Sequence, residues 1–175
     1  TVPVIGVISP GAKSAVEAST NKCIGVLSTP FTAASNAYAD EIAKYSKTAK
    51  VYQEGCPELC PMIEAGWETF EDRETIIKNH ISKFPRNVDT VVLGCTHYPI
   101  LKEQIENVLP NIEYVSSSEA ISNCVKDILL RKKLLNFNKC SYTKIYTTGD
   151  VDEFIYSSSG FFDYTNLKVE HLIID

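Results

Sequence analysis

The stretch VDTVVLGCTHYP, residues 88–99, predicts both the fold and the place of the chemistry. Its first half is short, apolar and rich in β-branched residues, without polar alternation, which is typical of a central parallel strand that is buried on both faces. A thiol, a hydroxyl and an imidazole follow at once, at Cys95, Thr96 and His97. Pro99 suits the first turn of a helix, where its missing N–H would have no partner. The stretch therefore predicts a buried strand that ends in a reactive turn before a helix.

Strand and helix patterns alternate along the rest of the chain. Strands are predicted at 2–8, 22–27, 50–53, 112–115, 144–148 and 167–174, and helices at 11–19, 32–45, 73–83, 100–109, 121–129 and 152–156. Ser9-Pro10-Gly11 is predicted as a turn after the first strand, and Asp150 as the cap of a helix. This order predicts an α/β fold with a parallel sheet. A change of character near 116–120 divides the chain into residues 1–116 and 117–175.

The composition excludes several classes of protein. The chain has 175 residues, of which 44% are apolar and 22% charged, and its formal net charge is -5. No basic patch is dense enough to predict a nucleic-acid partner. No apolar run approaches a membrane span, and no signal-peptide pattern is present. We therefore expect no membrane partner and a cytoplasmic location, with the six cysteines reduced. Two of them, Cys23 and Cys124, are predicted to be core residues.

The position of Cys95 favours a functional thiol over a packing residue. Ligands bind outside the carboxyl ends of the strands in open parallel sheets, and Cys95 follows such an end. Free backbone N–H groups at the start of the next helix favour anions, including a thiolate or a substrate carboxylate. A neighbouring histidine favours the thiolate further, and Gly94 allows a tight turn. The simpler alternative is that Cys95 is a small core residue and His97 a satisfied polar neighbour.

Several motifs in the right order resemble the glutamate racemases, which belong to the cofactor-independent aspartate/glutamate racemases. These are PVIGVISPG (3–11), STPFT with SNAY (28–38), CPELCPMIEAG (56–66), GCTHYP (94–99) and TTGD (147–150). The resemblance implies two pseudo-symmetric α/β lobes with the substrate between them. Two cysteines flank the α-carbon of the substrate; one removes the α-proton as a thiolate and the other donates a proton to the opposite face.

The resemblance also implies roles for individual residues. Cys95 matches the acid/base cysteine of the second lobe, and His97 matches a residue that assists this thiol by proton exchange. Glu64 matches a carboxylate near that histidine. Substrate contacts are implied for Thr96, Thr32 and Thr29.

The implied substrate is a small molecule, L- or D-glutamate, and the implied purpose is D-glutamate for bacterial peptidoglycan. No metal, pyridoxal phosphate or nucleotide cofactor is implied. A thiol suits this reaction in its own right, because its pKa is close enough to neutral for either protonation state to serve. The developing carbanion also needs preorganised donors around it.

The chain departs from the family pattern in one respect. No cysteine is followed by Asn-Thr and no aspartate by Ser-Gly, although the family has both in its first lobe. The resemblance therefore implies a chain without that lobe: residues 1–116 form the second lobe, and 117–175 a returning segment that would pack on the first. We expect no racemase activity from this polypeptide alone. Cys56 is a poor replacement for the second thiol, because it would approach the substrate from the same side as Cys95.

Alternatives remain open from the sequence. Cys56 and Cys60 form a C-x3-C pair, but a proline interrupts it and no second ligand pair appears, so a zinc site is not expected. The chain could be a non-catalytic fragment or module that retains carboxylate affinity at Thr96. It could also be a racemase for another small acid, such as aspartate or a hydantoin. A homodimer is the assembly left open.

Overall fold

A four-stranded parallel sheet forms the centre of the molecule. The computed structural model describes residues 3–137, 142–160 and 162–174. The strands are β1 (Cys23–Ser28), β2 (Lys50–Gly55), β3 (Thr90–Leu93) and β4 (Glu113–Ser116), in the order β2-β1-β3-β4. All pairs are parallel. The predicted α/β fold with a parallel sheet is thus confirmed, and the apolar run of β3 lies beside β1, with every residue of both strands buried.

Helices cover both faces of this sheet. They are α1 (Ile8–Ala18), α2 (Pro30–Ala34), α3 (Ala37–Tyr45), α4 (Leu59–Glu64), α5 (Arg73–Ile81), α6 (Lys102–Val108), α7 (Ser117–Arg131) and α8 (Val151–Ser158). Short 3-10 turns lie at Trp67–Thr69 and Tyr98–Leu101. Ile24 and Val26 of β1 pack in the same cluster as α1 and α3, whereas Leu27 packs in the cluster of α4, α5 and α6. Alternate strand residues therefore serve two helical layers, as expected for a sheet buried on both faces.

The predicted strand at 2–8 is wrong. Residues 3–6 have no regular secondary structure, and α1 begins at Ile8, so the predicted turn at Ser9-Pro10-Gly11 is helical. Val2 lies outside the described residues. Pro10 is tolerated in the first turn of a helix, and the apolar run has no place beside β1, which already pairs with β2 and β3. As a result the Val4 side chain is 97% exposed.

Three smaller differences have local causes. The single helix predicted at 32–45 is α2 followed by α3, because Asn36 takes a left-handed backbone conformation between them, with φ of 56°. Asparagine tolerates this conformation better than most residues. The predicted strand at 167–174 is only β6 (Val169–His171), which pairs in parallel with β5 (Ile145–Thr147). Cys124 is half-buried, so the prediction of a core cysteine there is wrong; the prediction for Cys23 is confirmed.

The predicted cap at Asp150 is confirmed, because its side chain accepts hydrogen bonds from the backbone N–H groups of Asp152 and Glu153, both at 2.9 Å. Within the described ranges, the structure has no helix of the length and apolarity needed to cross a bilayer.

Candidate functional site

Three strands end at one edge of the sheet, and chemistry-bearing residues follow each of them. Thr29 follows β1, Cys56 follows β2, and Cys95 follows β3 after one glycine. Two backbone hydrogen bonds continue the pairing past the strands: Gly94 N–H donates to the Leu27 carbonyl at 2.7 Å, and Cys56 N–H to the Ser28 carbonyl at 2.8 Å. The three segments therefore remain in register as they leave the sheet, at the edge where parallel sheets bind ligands.

Gly94 is required by close packing at this edge. A Cβ atom there would lie 2.9 Å from a ring carbon of Tyr38 and 3.0 Å from the Leu27 carbonyl oxygen. Tyr38 is fully buried, so its ring has little freedom to move. The glycine lets β3 pass close to α3 and turn at once into the Cys95 loop.

Tyr98 links the ends of β1 and β2 through hydrogen bonds of its hydroxyl group. Its side chain is fully buried, and its hydroxyl donates to the Ser28 carbonyl at 3.2 Å and to the Cys56 carbonyl at 3.1 Å. Pro99 lies in the first turn of the 3-10 segment, as the sequence predicted. Buried packing and the hydrogen bonds of Tyr98 therefore hold the turn between β3 and α6 in place.

The three predicted catalytic residues lie side by side. The Cys95 Sγ lies 3.9 Å from the His97 Nδ1, and the His97 Nε2 lies 2.9 Å from a Glu64 carboxylate oxygen. Glu64 comes from α4, at the other side of the turn. Both ring nitrogens of the histidine are thus directed, one toward the thiol and one toward the carboxylate. This geometry can pass a proton between Cys95 and the imidazole while the carboxylate fixes the ring.

A second thiol, which the sequence patterns did not predict at the site, contacts Cys95. The Cys60 Sγ lies 3.3 Å from the Cys95 Sγ. Burial and the neighbouring Cys95 raise the pKa of Cys60 to about 12, so Cys60 stays protonated at neutral pH. A signal was available: Cys60 and Glu64 are four residues apart on α4, and such pairs share a helix face. A helix face that presents Glu64 to His97 also presents Cys60 to Cys95.

The three predicted substrate contacts lie at the same edge. Thr96 is exposed in the turn, with its hydroxyl oxygen 3.4 Å from the His97 Nδ1. Thr29 caps α2, and its hydroxyl donates to the Thr32 hydroxyl oxygen at 3.1 Å. Both hydroxyls therefore follow β1, the strand beside β3.

Cys56 does not present a thiol to this edge. Only 1% of the residue is exposed, its side chain packs in the core with Leu59 and Trp67, and burial raises its pKa to about 12. A buried, protonated thiol cannot serve as a base at neutral pH. The structure thus agrees with the expectation that Cys56 does not replace a second acid/base thiol.

A cavity of about 520 Å³ opens beside the cluster. Glu64 and His97 line one side, and Phe154, Phe162 and Tyr164 line the other. This volume lies within the range of small-molecule sites, about 300–1,000 Å³. The residues after α7 therefore enclose one flank of the histidine and carboxylate pair.

Comparisons with known proteins identify the family. Residues 1–124 match the family described as Asp/Glu/Hydantoin racemase. The chain belongs to this racemase family. The glutamate racemase of Sulfurihydrogenibium sp. is 38% identical over 154 residues, which are 87% of this chain and 57% of that protein.

Solved racemase structures agree with the fold. Glutamate racemase isoform RacE1 from Bacillus anthracis superposes with a TM-score of 0.92 at 30% identity, over 99% of this chain and 66% of that one. The glutamate racemase of Francisella tularensis in complex with D-glutamate gives 0.82 at 32% identity, over 99% and 64%. The resemblance to glutamate racemases is confirmed. The chain spans 57%, 66% and 64% of the lengths of these three proteins.

Proposed function

We propose that this chain provides one acid/base thiol, Cys95, for the cofactor-independent interconversion of L- and D-glutamate. The observation that supports it most is the continuous line of contacts from Cys95 through His97 to Glu64. The similarity to a glutamate racemase solved with D-glutamate supports glutamate as the small-molecule substrate. In this proposal the product serves peptidoglycan synthesis in a bacterial cytoplasm.

Cys95 acts as the base in the proposed reaction. Its thiolate removes the α-proton, and the resulting thiol returns a proton to the same face or passes it to His97. Glu64 holds the imidazole through Nε2, so that Nδ1 stays directed at the sulfur. Because the contact between Cys95 and His97 is 3.9 Å, it must tighten when substrate binds, as catalytic hydrogen bonds often do.

Hydroxyl groups at the strand ends hold the substrate in this proposal. Thr96 binds beside the sulfur, and Thr29 and Thr32 bind a substrate carboxylate where α2 begins. Their support is their common position at the carboxyl edge of β1 and β3. We also propose a division near residue 116, since β4 ends at Ser116 and α7 starts at Ser117. A homodimer stays a prediction.

Exchange of the α-proton with solvent tests the function. The chain is incubated with L- or D-glutamate in deuterated water, and the α-proton signal is followed by NMR. Because one thiol reaches one face of the α-carbon, we expect deuterium to enter one enantiomer and not the other. The Cys95→Ser variant should abolish this exchange, whereas Cys124→Ser, which alters a half-buried thiol on α7, should retain it.

Three results would contradict the proposal. Exchange that survives in Cys95→Ser would assign the chemistry to another group. Faster exchange with aspartate than with glutamate would favour a racemase for a different small acid. Absence of exchange with either enantiomer, together with retained glutamate binding, would favour the non-catalytic carboxylate-binding alternative.

A further inference from the structure

Three soft or borderline ligand groups meet at the turn after β3. The sulfur atoms of Cys60 and Cys95 and a ring nitrogen of His97 all lie within 4.8 Å of one another. The individual separations are 3.3 Å between the two sulfurs and 3.9 Å between the Cys95 Sγ and the His97 Nδ1. The linear sequence separates Cys60 from the other two by 35 residues or more, so only the fold assembles the set.

These separations fit a tetrahedral zinc ion. With Zn–S bonds of about 2.3 Å and a Zn–N bond of about 2.0 Å, tetrahedral ligand atoms lie roughly 3.5–3.8 Å apart. The separation of the two sulfurs would have to grow by about 0.5 Å, that of Cys95 Sγ and His97 Nδ1 would have to shrink by about 0.4 Å, and the third separation by at most about 1.3 Å. Two thiolates and one imidazole leave a fourth position for water, an arrangement that zinc adopts in open sites.

Glu64 supplies the supporting contact that such a site requires. Histidine ligands commonly donate the N–H of the other ring nitrogen to a carboxylate, which fixes the tautomer and makes the ligating nitrogen more basic. The His97 Nε2 lies 2.9 Å from the Glu64 carboxylate, and the Nδ1 is the nitrogen on the side of Cys95. The carboxylate thus orients His97 for a metal as well as for a proton.

We propose that Cys60, Cys95 and His97 form a binding site for a thiophilic divalent cation, Zn²⁺. Binding displaces the protons of both thiols to solvent, and the two sulfurs and the His97 Nδ1 donate electron pairs to the ion. The bound ion occupies the lone pair with which Cys95 would take a proton. Zinc is therefore an inhibitor of the thiol chemistry, and this consequence alone rests on the proposed function.

Cobalt substitution tests the site without any activity measurement. The chain, kept reduced with a phosphine, is titrated with Co²⁺ without oxygen, and the sulfur-to-cobalt charge-transfer absorption is recorded. We expect one equivalent to bind with the intensity of two thiolates and to be displaced by Zn²⁺. Loss of a residue that hydrogen-bonds to a metal ligand, as Glu64 does to His97, costs about 10–100-fold in metal affinity. Glu64→Gln should therefore weaken cobalt binding by about tenfold.

Loss of a direct ligand should have a larger effect. Cys60→Ala and Cys60→Ser, each checked for folding by thermal melting, should weaken cobalt binding by at least about 100-fold. Removal of a residue that only supports a ligand already lowers metal affinity by up to about that factor. Cys124→Ser is the matched control and should bind as the unaltered chain does. Cobalt absorption that is equally strong in the Cys60 variants, or no binding by the folded unaltered chain, would overturn the proposal.

Inhibition is measured separately. Zn²⁺ should stop α-proton exchange by the unaltered chain, and in the Cys60 variants the same fractional loss should need at least about 100-fold more zinc, matching their weaker metal binding. If the unaltered chain shows no exchange at all, the proposed function fails while the cobalt spectra still decide the metal site. Strong cobalt binding with undiminished exchange at saturating zinc would overturn the inhibitory role.

Discussion

The two ends of the parallel sheet use polar groups in opposite ways. At the amino end of β3, the carboxylate of Asp89 accepts five hydrogen bonds of 2.6–3.0 Å from Ser19, Thr20, Asn21 and Thr90. At the carboxyl end, the Cys95 sulfur lies 3.3 Å from the Cys60 sulfur and 3.9 Å from the His97 Nδ1. The amino end thus holds a carboxylate in several short hydrogen bonds, whereas the carboxyl end places a thiol in longer contacts with a second thiol and an imidazole.

This difference separates stability from chemistry along a single strand. A carboxylate that accepts several short hydrogen bonds is held in one protonation state, and it joins the α1–β1 connection to the start of β3. At the other end, the Cys95 thiol, the His97 imidazole and the Glu64 carboxylate lie next to one another, and side chains of these types act as acids and bases in catalysis. Changes at the carboxyl end should therefore affect reactivity first, and changes at the amino end should affect stability first.

The largest expected effect is on the chemistry of Cys95. Replacement of Cys95 by serine should lower α-proton exchange by at least about 100-fold, since a positioned acid/base group contributes about 10²–10⁴-fold. The side chain is only partly buried, so the free energy of unfolding should change by less than about 1 kcal/mol. NMR exchange and urea unfolding check the two parts. If the loss of stability, in free energy, were larger than the loss of exchange expressed as a free energy, the proposed difference between the two ends of the sheet would be contradicted.

The next effect should appear at the other end of the sheet. Asp89→Asn should lower the free energy of unfolding at pH 7 by about 2 kcal/mol, because hydrogen bonds to a charged group are worth about 1.5–3 kcal/mol each and an amide replaces them only in part. Urea unfolding measures it, with Asp127→Asn, at an exposed position of α7, as the matched control. Cobalt binding at Cys60 and Cys95 should be unchanged; a weakened site would contradict the independence of the two ends.

The difference in stability between the unaltered chain and Asp89→Asn is also predicted to depend on pH. Burial by itself would raise the pKa of Asp89, but the hydrogen bonds from Ser19, Asn21 and Thr20 together hold it well below its ordinary value. A lowered folded pKa stabilises the protein above the unfolded pKa, about 3.9, and this stabilisation is lost as the pH falls toward the folded pKa. The free energy of unfolding of the unaltered chain should therefore exceed that of Asp89→Asn by a constant amount near neutral pH, and this excess should shrink below about pH 4. A difference that grows on acidification would contradict it.

The sequence predicted the α/β fold and the local structure around Cys95, but not which distant segments contact one another. The apolar run before Cys95 and the proline after His97 identify a strand end and a helix start, because both signals are local. The run at 3–8 has the same apolar character, but whether it pairs depends on free positions beside β1, which a local pattern does not contain. The contact between Cys60 and Cys95 depends on how α4 lies across the turn. Tertiary placement of this kind is visible in the sequence only when a helix-face partner such as Glu64 has already been located.

A smaller effect is expected for the carboxylate behind His97. Glu64→Gln keeps the size of the side chain and a hydrogen-bonding oxygen but removes the negative charge that lies 2.9 Å from the His97 Nε2. Since the two groups are 27% and 54% exposed, water screens part of the interaction, and we expect about a tenfold loss of α-proton exchange. Glu68→Gln, which alters an exposed ion pair with Arg73, is the matched control. Equal losses in both variants would show that the effect is general surface charge.

The smallest expected effect tests whether the reactive end has its own structural support. Tyr98→Phe removes the hydroxyl that donates to the Ser28 and Cys56 carbonyls, and both acceptors lie in a buried region. Because the hydroxyl shares its single proton between the two carbonyls, we expect the free energy of unfolding to fall by about 1 kcal/mol, the usual net value of one buried hydrogen bond. Tyr45→Phe is the control, because the Tyr45 hydroxyl contacts Ser9 at the exposed surface and should matter less. If Tyr98→Phe lowered the free energy of unfolding as much as Asp89→Asn does, both ends of the sheet would contribute equally to stability. The expected difference between the two ends would then be contradicted.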